Sequence, residues 1–194
     1  IPTPPYIKNT GIKEEEYQTV YARKDGSLAA PTAGFHFSKR LIKKLEDSGI
    51  VFAKLNLSVG LDTFRPINVD EIEQHKMHSE YYSIEEGEAA KIRIARNNGN
   101  KITAVGTTTV RVLETLMLRK NDIVEDSGKT DIFIYPGFQF RVVDRLITNF
   151  HLPKSTLLAM VCAFAGRENI LNAYEEAKRK GYRFYSFGDC MLIK

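Results

Sequence analysis

The chain has 194 residues, 43% hydrophobic and 27% charged, the length of one domain or one large domain with a small appendage and a composition far from disordered or fibrous chains. The longest near-apolar run, Leu157 to Ala165, is about half of a bilayer crossing, and no basic-then-apolar leader opens the sequence, so neither membrane insertion nor secretion is expected. Two cysteines exclude a disulfide framework or an all-cysteine zinc site, and a net charge of +4 permits an acidic partner without demanding one. A reducing, cytoplasmic setting is expected. The proline-rich opening, Ile1 to Ile7 without an initiator methionine, reads as a linker cut open and suggests a fragment.

In chain order, a first helix is expected at about Lys13 to Ala22, then a turn at Asp25-Gly26 and the small-residue phrase Ala29 to Phe37. Ser38 stands where an N-cap belongs, Leu41, Ile42 and Leu45 make one apolar face, and Gly49 supplies the stop. A β-rich run, Ile50 to Leu57, precedes a loop from Ser58 to Pro66 and a short helix at Asp70 to Gln74. Tyr81 to Ile84 reads as a strand and Glu86 to Asn97 as a helix, although Ile92 and Ile94 alternate. Lys101 to Val105 is a strand, Gly106 a turn, and Thr107 to Lys120 a helix with Val110, Leu113 and Met117 on one face. Asp131 to Tyr135 and Arg145 to Asn149 are further strands. Ser155 to Phe164 has the apolar character of a buried helix, Glu168 to Lys180 is amphipathic, and Tyr182 to Phe187 reads as the last strand. Strands separated by helices predict a layered α/β/α domain with a mixed, mostly parallel sheet, spanning residues 1–194.

Polar residues gather in the loops at strand ends, where α/β sheets hold ligands. In Val105 to Arg111 a strand feeds a glycine turn and a helix opening on three threonines, either an anion site or a helix capped by its own hydroxyls. Thr148 to Thr156 sets an amide, an imidazole and two hydroxyls between a strand and a buried helix. His151 is there a general acid or base titrating near neutrality, or a loop side chain bonding a helix terminus; His36, after the Pro31 to Gly34 turn, has the same two readings. His75, His78 and Glu80 match metal-ligand spacing poorly, and no metal is expected. Asp189 is a carboxylate at a strand mouth or a turn former beside Gly188. Tyr135, Phe138, Phe140, Tyr182, Phe184, Tyr185 and Phe187 are mostly core by their period of two, with a few available to stack on a base.

Together these phrases resemble the S-adenosylmethionine:tRNA ribosyltransferase-isomerase family of queuosine biosynthesis, from Pro2 to Met191. The matching phrases include Tyr17 to Tyr21, Ala29 to Phe37, Met77 to Glu80, Gly106 to Arg111, Ile132 to Gly137, Ile147 to Leu157, Ala163 to Gly166 and Tyr182 to Phe184 with Gly188-Asp189. Ser58 and Asp62 stand where the family usually has histidine and glycine. The resemblance implies that the family's N-terminal part and most of its inserted β-barrel are missing from this chain. It implies transfer of the ribosyl part of S-adenosylmethionine to 7-aminomethyl-7-deazaguanine in a tRNA anticodon stem-loop, giving epoxyqueuosine and releasing adenine and methionine. S-adenosylmethionine is then a consumed substrate, and no cofactor is expected. Such a reaction needs a base for the proton beside the sulfonium, an acid for departing adenine, and anchors for carboxylate and ribose. His36, Glu80, His151 and Asp189 are the expected acid and base groups, with His151 foremost. Thr107, Thr108, Thr109 and Arg111 are expected to hold the methionine carboxylate, and Asn149, Ser155 and Thr156 the ribose. Lys39, Arg40, Lys43 and Lys44 are the expected tRNA contacts, ahead of Lys178, Arg179 and Lys180. A monomer is expected.

Three rival readings follow from the residues. A class I methyltransferase would show a glycine cluster after its first strand, which is missing here. A pure RNA-binding module would carry a stronger basic stripe and need no paired histidines. An inactive fragment of the transferase differs only in whether the natural reading frame extends upstream of Ile1.

Overall fold

The computed structural model describes residues 17–22, 30–58 and 66–194. Among them, helix α1 (Lys39–Asp47) starts where Ser38 Oγ accepts the Leu41 N–H at 3.2 Å and stops at Gly49, whose φ of 88° suits glycine. The other helices are α2 (Glu86–Asn97), α3 (Thr107–Lys120), α4 (Thr156–Ala165) and α5 (Arg167–Arg179). Short 3-10 helices cover Thr32–His36 and Ile72–Gln74. None of the helices among the described residues is long and apolar enough to cross a membrane.

Among the described residues six strands form two sheets. β1 (Asn56–Ser58), β2 (Glu80–Ile84) and β4 (Asp126–Thr130) make an antiparallel sheet in the order β1-β2-β4. β3 (Thr103–Val105), β5 (Arg145–Asn149) and β6 (Cys190–Ile193) make a mixed sheet in which β3 and β5 run parallel and β5 and β6 antiparallel. The chain is thus α/β with a mixed sheet, and the β3–β5 ladder is the parallel one among the described strands. Helix α3 touches β3 and β5 of one sheet and β4 of the other. That double contact explains why it is buried for most of its length, with Val110, Val112 and Leu116 fully enclosed.

Several element expectations are corrected. Residues 17–22 form bends and a turn rather than the end of a helix; the rest of that helix, the Asp25-Gly26 turn and Asp62 lie outside the described residues. Of the β-rich run to Leu57, only Asn56 and Leu57 pair in a sheet. The strand expected at Asp131 to Tyr135 lies five residues earlier, at Asp126 to Thr130. Its sequence is polar because one face meets solvent, while Ile132 and Ile134 fill the core from irregular backbone. The strand expected at Tyr182 to Phe187 is displaced to Cys190 to Ile193. Of the aromatic residues expected there, Tyr182 and Phe184 pack on Phe150 from a bent segment, Phe184 stacking with centroids 4.6 Å apart, while Phe187 packs with Tyr17 and Phe35.

Candidate functional site

Because β3 and β5 are parallel, their C-terminal ends lie side by side, and the segments leaving them shape a cleft. Its walls come from Pro31 to Ala33, from Gly106 to Thr108 at the start of α3, from Thr148 to Leu152 after β5, and from Tyr185 and Ser186. Gly106 takes φ 88° and its N–H donates to Ile147 O at 2.8 Å, which turns the chain off β3 into α3. A Cβ on Gly106 would sit 3.7 Å from that of Ala33, so the Thr32–His36 turn packs close against this corner. The first N–H groups of α3 lack intrahelical partners by the geometry of any helix start. Thr107 and Thr108 line the cleft beside them, whereas the Thr109 hydroxyl turns back to Val105 O at 2.8 Å.

Asn149 is the buried junction of the site. Its Nδ2 donates to Thr32 Oγ1 at 3.1 Å and to Ser186 O at 3.3 Å, and its Oδ1 meets His36 Nε2 at 2.9 Å. A carbonyl such as Ser186 O can only accept, which orients the amide and requires the proton on His36 Nε2. The Asp189 carboxyl is held below its ordinary range, chiefly by the Arg183 backbone N–H, then by the Arg183 side chain, with a smaller contribution from His36. His36, Asn149 and Asp189 therefore form one neighbourhood. His151 Nε2 lies 2.8 Å from Thr148 Oγ1, and its backbone N–H donates to Tyr174 Oη at 2.8 Å. Burial pushes its pKa down to about 4, so the ring is neutral at physiological pH. This corrects the expectation of a histidine titrating near neutrality.

Other expected site residues are engaged elsewhere. Ser155 Oγ accepts the Leu158 N–H at 3.1 Å and donates to Leu152 O at 2.7 Å, the work of a helix cap at the cleft edge. Thr156 is buried outside the cleft lining, with its hydroxyl unpartnered among the described residues. Glu80 and Arg111 form a buried ion pair with each other. Arg111 also donates to Ile132 O, His78 O and Thr130 O, at 3.2 to 3.3 Å. Neither side chain lines the cleft, because both are spent joining α3 to the antiparallel sheet. His78 Nε2 lies 3.3 Å from Glu80, while His75 packs on Phe133, with ring centroids 5.1 Å apart, so the two histidines do not converge. Lys39, Arg40, Lys43 and Lys44 are exposed on α1, joined to His36 through Phe37 and Ser38. Sequence reasoning did not single out Thr32, Thr148, Tyr185 or Ser186 as cleft residues. The first two lie inside phrases it did mark, and nothing in the composition signals the backbone turn at Tyr185.

A family model described as "Queuosine biosynthesis protein" matches residues 1–193. The chain belongs to this family. It is 58% identical over 193 residues to an S-adenosylmethionine:tRNA ribosyltransferase-isomerase of Moorella thermoacetica, a match covering 100% of this chain and 56% of the relative. A relative of the same name from Thermotoga petrophila is 57% identical over 192 residues, covering 99% of this chain and 57% of its own. The crystal structure of S-adenosylmethionine tRNA ribosyltransferase from Thermotoga maritima superposes with a TM-score of 0.71 at 47% identity, over 84% of this chain and 51% of that one. The chain thus spans little more than half the length of these family members, and its α/β fold agrees with the solved one.

Proposed function

We propose that this chain supplies the S-adenosylmethionine cleft of a tRNA ribosyltransferase-isomerase, which transfers the ribosyl part to 7-aminomethyl-7-deazaguanine in tRNA, forms epoxyqueuosine and releases adenine and methionine. The reading is supported by the names of the relatives and, within the structure, by one observation: a single cleft gathers the α3 start, Asn149 and His151, and Asn149 in turn holds His36, which lies outside the cleft lining. S-adenosylmethionine is consumed as a substrate, and no separate cofactor is invoked.

The roles follow from which groups remain available. Thr107 and Thr108, with the helix N–H groups beside them, suit the methionine carboxylate. A neutral His151 has one ring nitrogen free to accept a proton, while its remaining N–H is too weakly acidic to give up, so it takes the base role toward the carbon next to the sulfonium, whose positive charge acidifies that C–H. His36 is oriented by its Nε2–H bond to Asn149 Oδ1 and neighbours Asp189, and it is assigned the role of assisting adenine departure. Asn149 spends its amide on His36, Thr32 and Ser186, so it orients the site rather than holding ribose. Glu80 and Arg111 position α3.

The test incubates the longest natural form of the protein with S-adenosylmethionine and tRNA bearing 7-aminomethyl-7-deazaguanine, then follows adenine by chromatography and the tRNA by mass. Adenine release with a matching mass gain is expected; a folded protein that yields neither overturns the proposal. His151→Ala should retain the fold and lose most adenine release, and near-normal turnover would remove His151 from the reaction.

A further inference from the structure

Three non-glycine residues among those described have a positive φ: Asn121 at 58°, Lys154 at 56° and Tyr185 at 73°. Asn121 closes α3, where asparagine is well tolerated, but a bulky aromatic residue in the left-handed region is a true outlier. Tyr185 is also the one of the three that lines the cleft.

Its conformation is imposed by the segment around it. The Tyr185 N–H donates to Phe150 O at 3.0 Å, and Tyr185 O accepts the Gly188 N–H at 3.0 Å. The loop is closed by Asp189, whose N–H donates to Arg183 O at 2.8 Å and whose carboxylate accepts the Arg183 N–H at 2.8 Å and its guanidinium at 3.1 Å. A Cβ on Gly188 would lie 2.3 Å from Arg183 O, so no side chain fits there. Core packing is met by the neighbours instead: Phe184 stacks on Phe150, and Phe187 packs with Tyr17 and Phe35. Strain of this kind persists where the surroundings over-determine it, and it concentrates at ligand sites.

We infer that the Tyr185 ring is the stacking platform for the adenine base of the sulfonium substrate. The inference rests on the proposed function and adds a subsite to it. The strand order β3-β5-β6 puts the α3 start on one side of β5 and the segment entering β6 on the other. The two sides are about 10 Å apart, two strand spacings. With the carboxylate at Thr107 and Thr108, the sulfonium and ribose fall over Asn149 and the flat base reaches Tyr185. An aromatic face takes such a heterocycle through its π surface.

The test uses the longest natural protein and titrates S-adenosylmethionine, adenosine and methionine separately against the parent, Tyr185→Phe and Tyr185→Gly, with a thermal melt of each. Tyr185→Phe should bind all three within about twofold of the parent, since the ring is kept. Tyr185→Gly should bind S-adenosylmethionine and adenosine at least about tenfold more weakly, the scale of one lost base stack. It should bind methionine unchanged, and its melt reads two opposed effects, relief of the strained φ and loss of the half-buried ring that meets Phe184 with centroids 6.2 Å apart. Undiminished adenosine binding by Tyr185→Gly, or an equal loss for methionine and adenosine, would overturn the stacking role. Tyr185-dependent adenosine binding in a parent that never releases adenine would uphold the subsite and sink the reaction, whereas a parent binding none of the three ligands would sink both.

Discussion

A neutral imidazole in a wall of the cleft makes His151 a source of pH dependence as well as a proposed base. Its folded pKa of about 4 lies below the ordinary 6.5 because burial penalises the charged ring. Between these values the unfolded chain binds a proton that the folded chain refuses, so stability is fully present above about pH 6.5 and is lost as pH falls toward 4. The loss expected from this one group is about 3 kcal/mol. Urea denaturation of the parent and of His151→Asn at several pH values checks it. The parent should lose stability across that window more steeply than the variant, and parallel profiles would mean that His151 is not the group responsible. The same residue shows what the sequence made legible. The phrase from Thr148 to Thr156 located His151 at a strand end, but its charge state depends on being enclosed by parts of the chain far apart in sequence, Tyr174 among them. Asn149 is similar. Its place was readable, whereas its bonds to Thr32, His36 and Ser186 exist only after folding brings those segments together.

Among the elements, α3 decides the geometry of the cleft because it answers to both sheets. Arg111 is one turn beyond Thr107 and is clamped by Glu80 of β2 and by carbonyls of His78, Thr130 and Ile132. Burial lowers the Arg111 pKa while the Glu80 charge opposes that shift, so the guanidinium depends on its partner to stay charged at low cost. One turn further along the same helix, Glu114 accepts the N–H groups of Arg141, Val142 and Val143 at 2.9 to 3.1 Å and fixes the chain entering β5. Arg111→Met should therefore cost about 3–5 kcal/mol, as expected when one member of a buried pair is left uncompensated. Adding Glu80→Gln to it should recover part of that loss. Chemical denaturation of both single variants and the double variant gives the coupling, and simple additivity would argue against a tight pair. Helices were the more legible elements because caps and 3.6-residue spacing are local: Glu86–Asn97 and Thr107–Lys120 fall where the sequence put them. The strands at Asp126–Thr130 and Cys190–Ile193 were misplaced because apolar alternation drew attention to Asp131–Tyr135 and Tyr182–Phe187. Those residues are buried by packing onto the core from irregular backbone rather than by pairing in a sheet.

At the scale of the chain, a net charge of +4 is too small to bind a polyanion by uniform attraction, so the proposed tRNA contact calls for a local basic face. The two candidate clusters differ in how their charges are already used. Lys178, Arg179 and Lys180 each pair with Glu175 or Glu176 at 2.6 to 3.2 Å, which offsets their field. On α1, Lys43 pairs with Asp47 at 2.5 Å, but among the described residues no ion pair or hydrogen bond engages the side chain of Lys39, Arg40 or Lys44, and all three are exposed. Helix α1 also follows His36 after only Phe37 and Ser38, so under the proposed function a phosphate backbone lying along it would bring the target base toward the cleft. We therefore expect Lys39→Ala, Arg40→Ala and Lys44→Ala together to weaken tRNA binding by the longest natural form. The slope of log affinity against log salt should fall by about one for each phosphate contact removed. Replacing Lys178, Arg179 and Lys180 by alanine should leave affinity and slope nearly unchanged. A filter-binding titration across salt concentrations distinguishes the two, and a loss confined to the α5 variant would move the tRNA to the opposite choice of face.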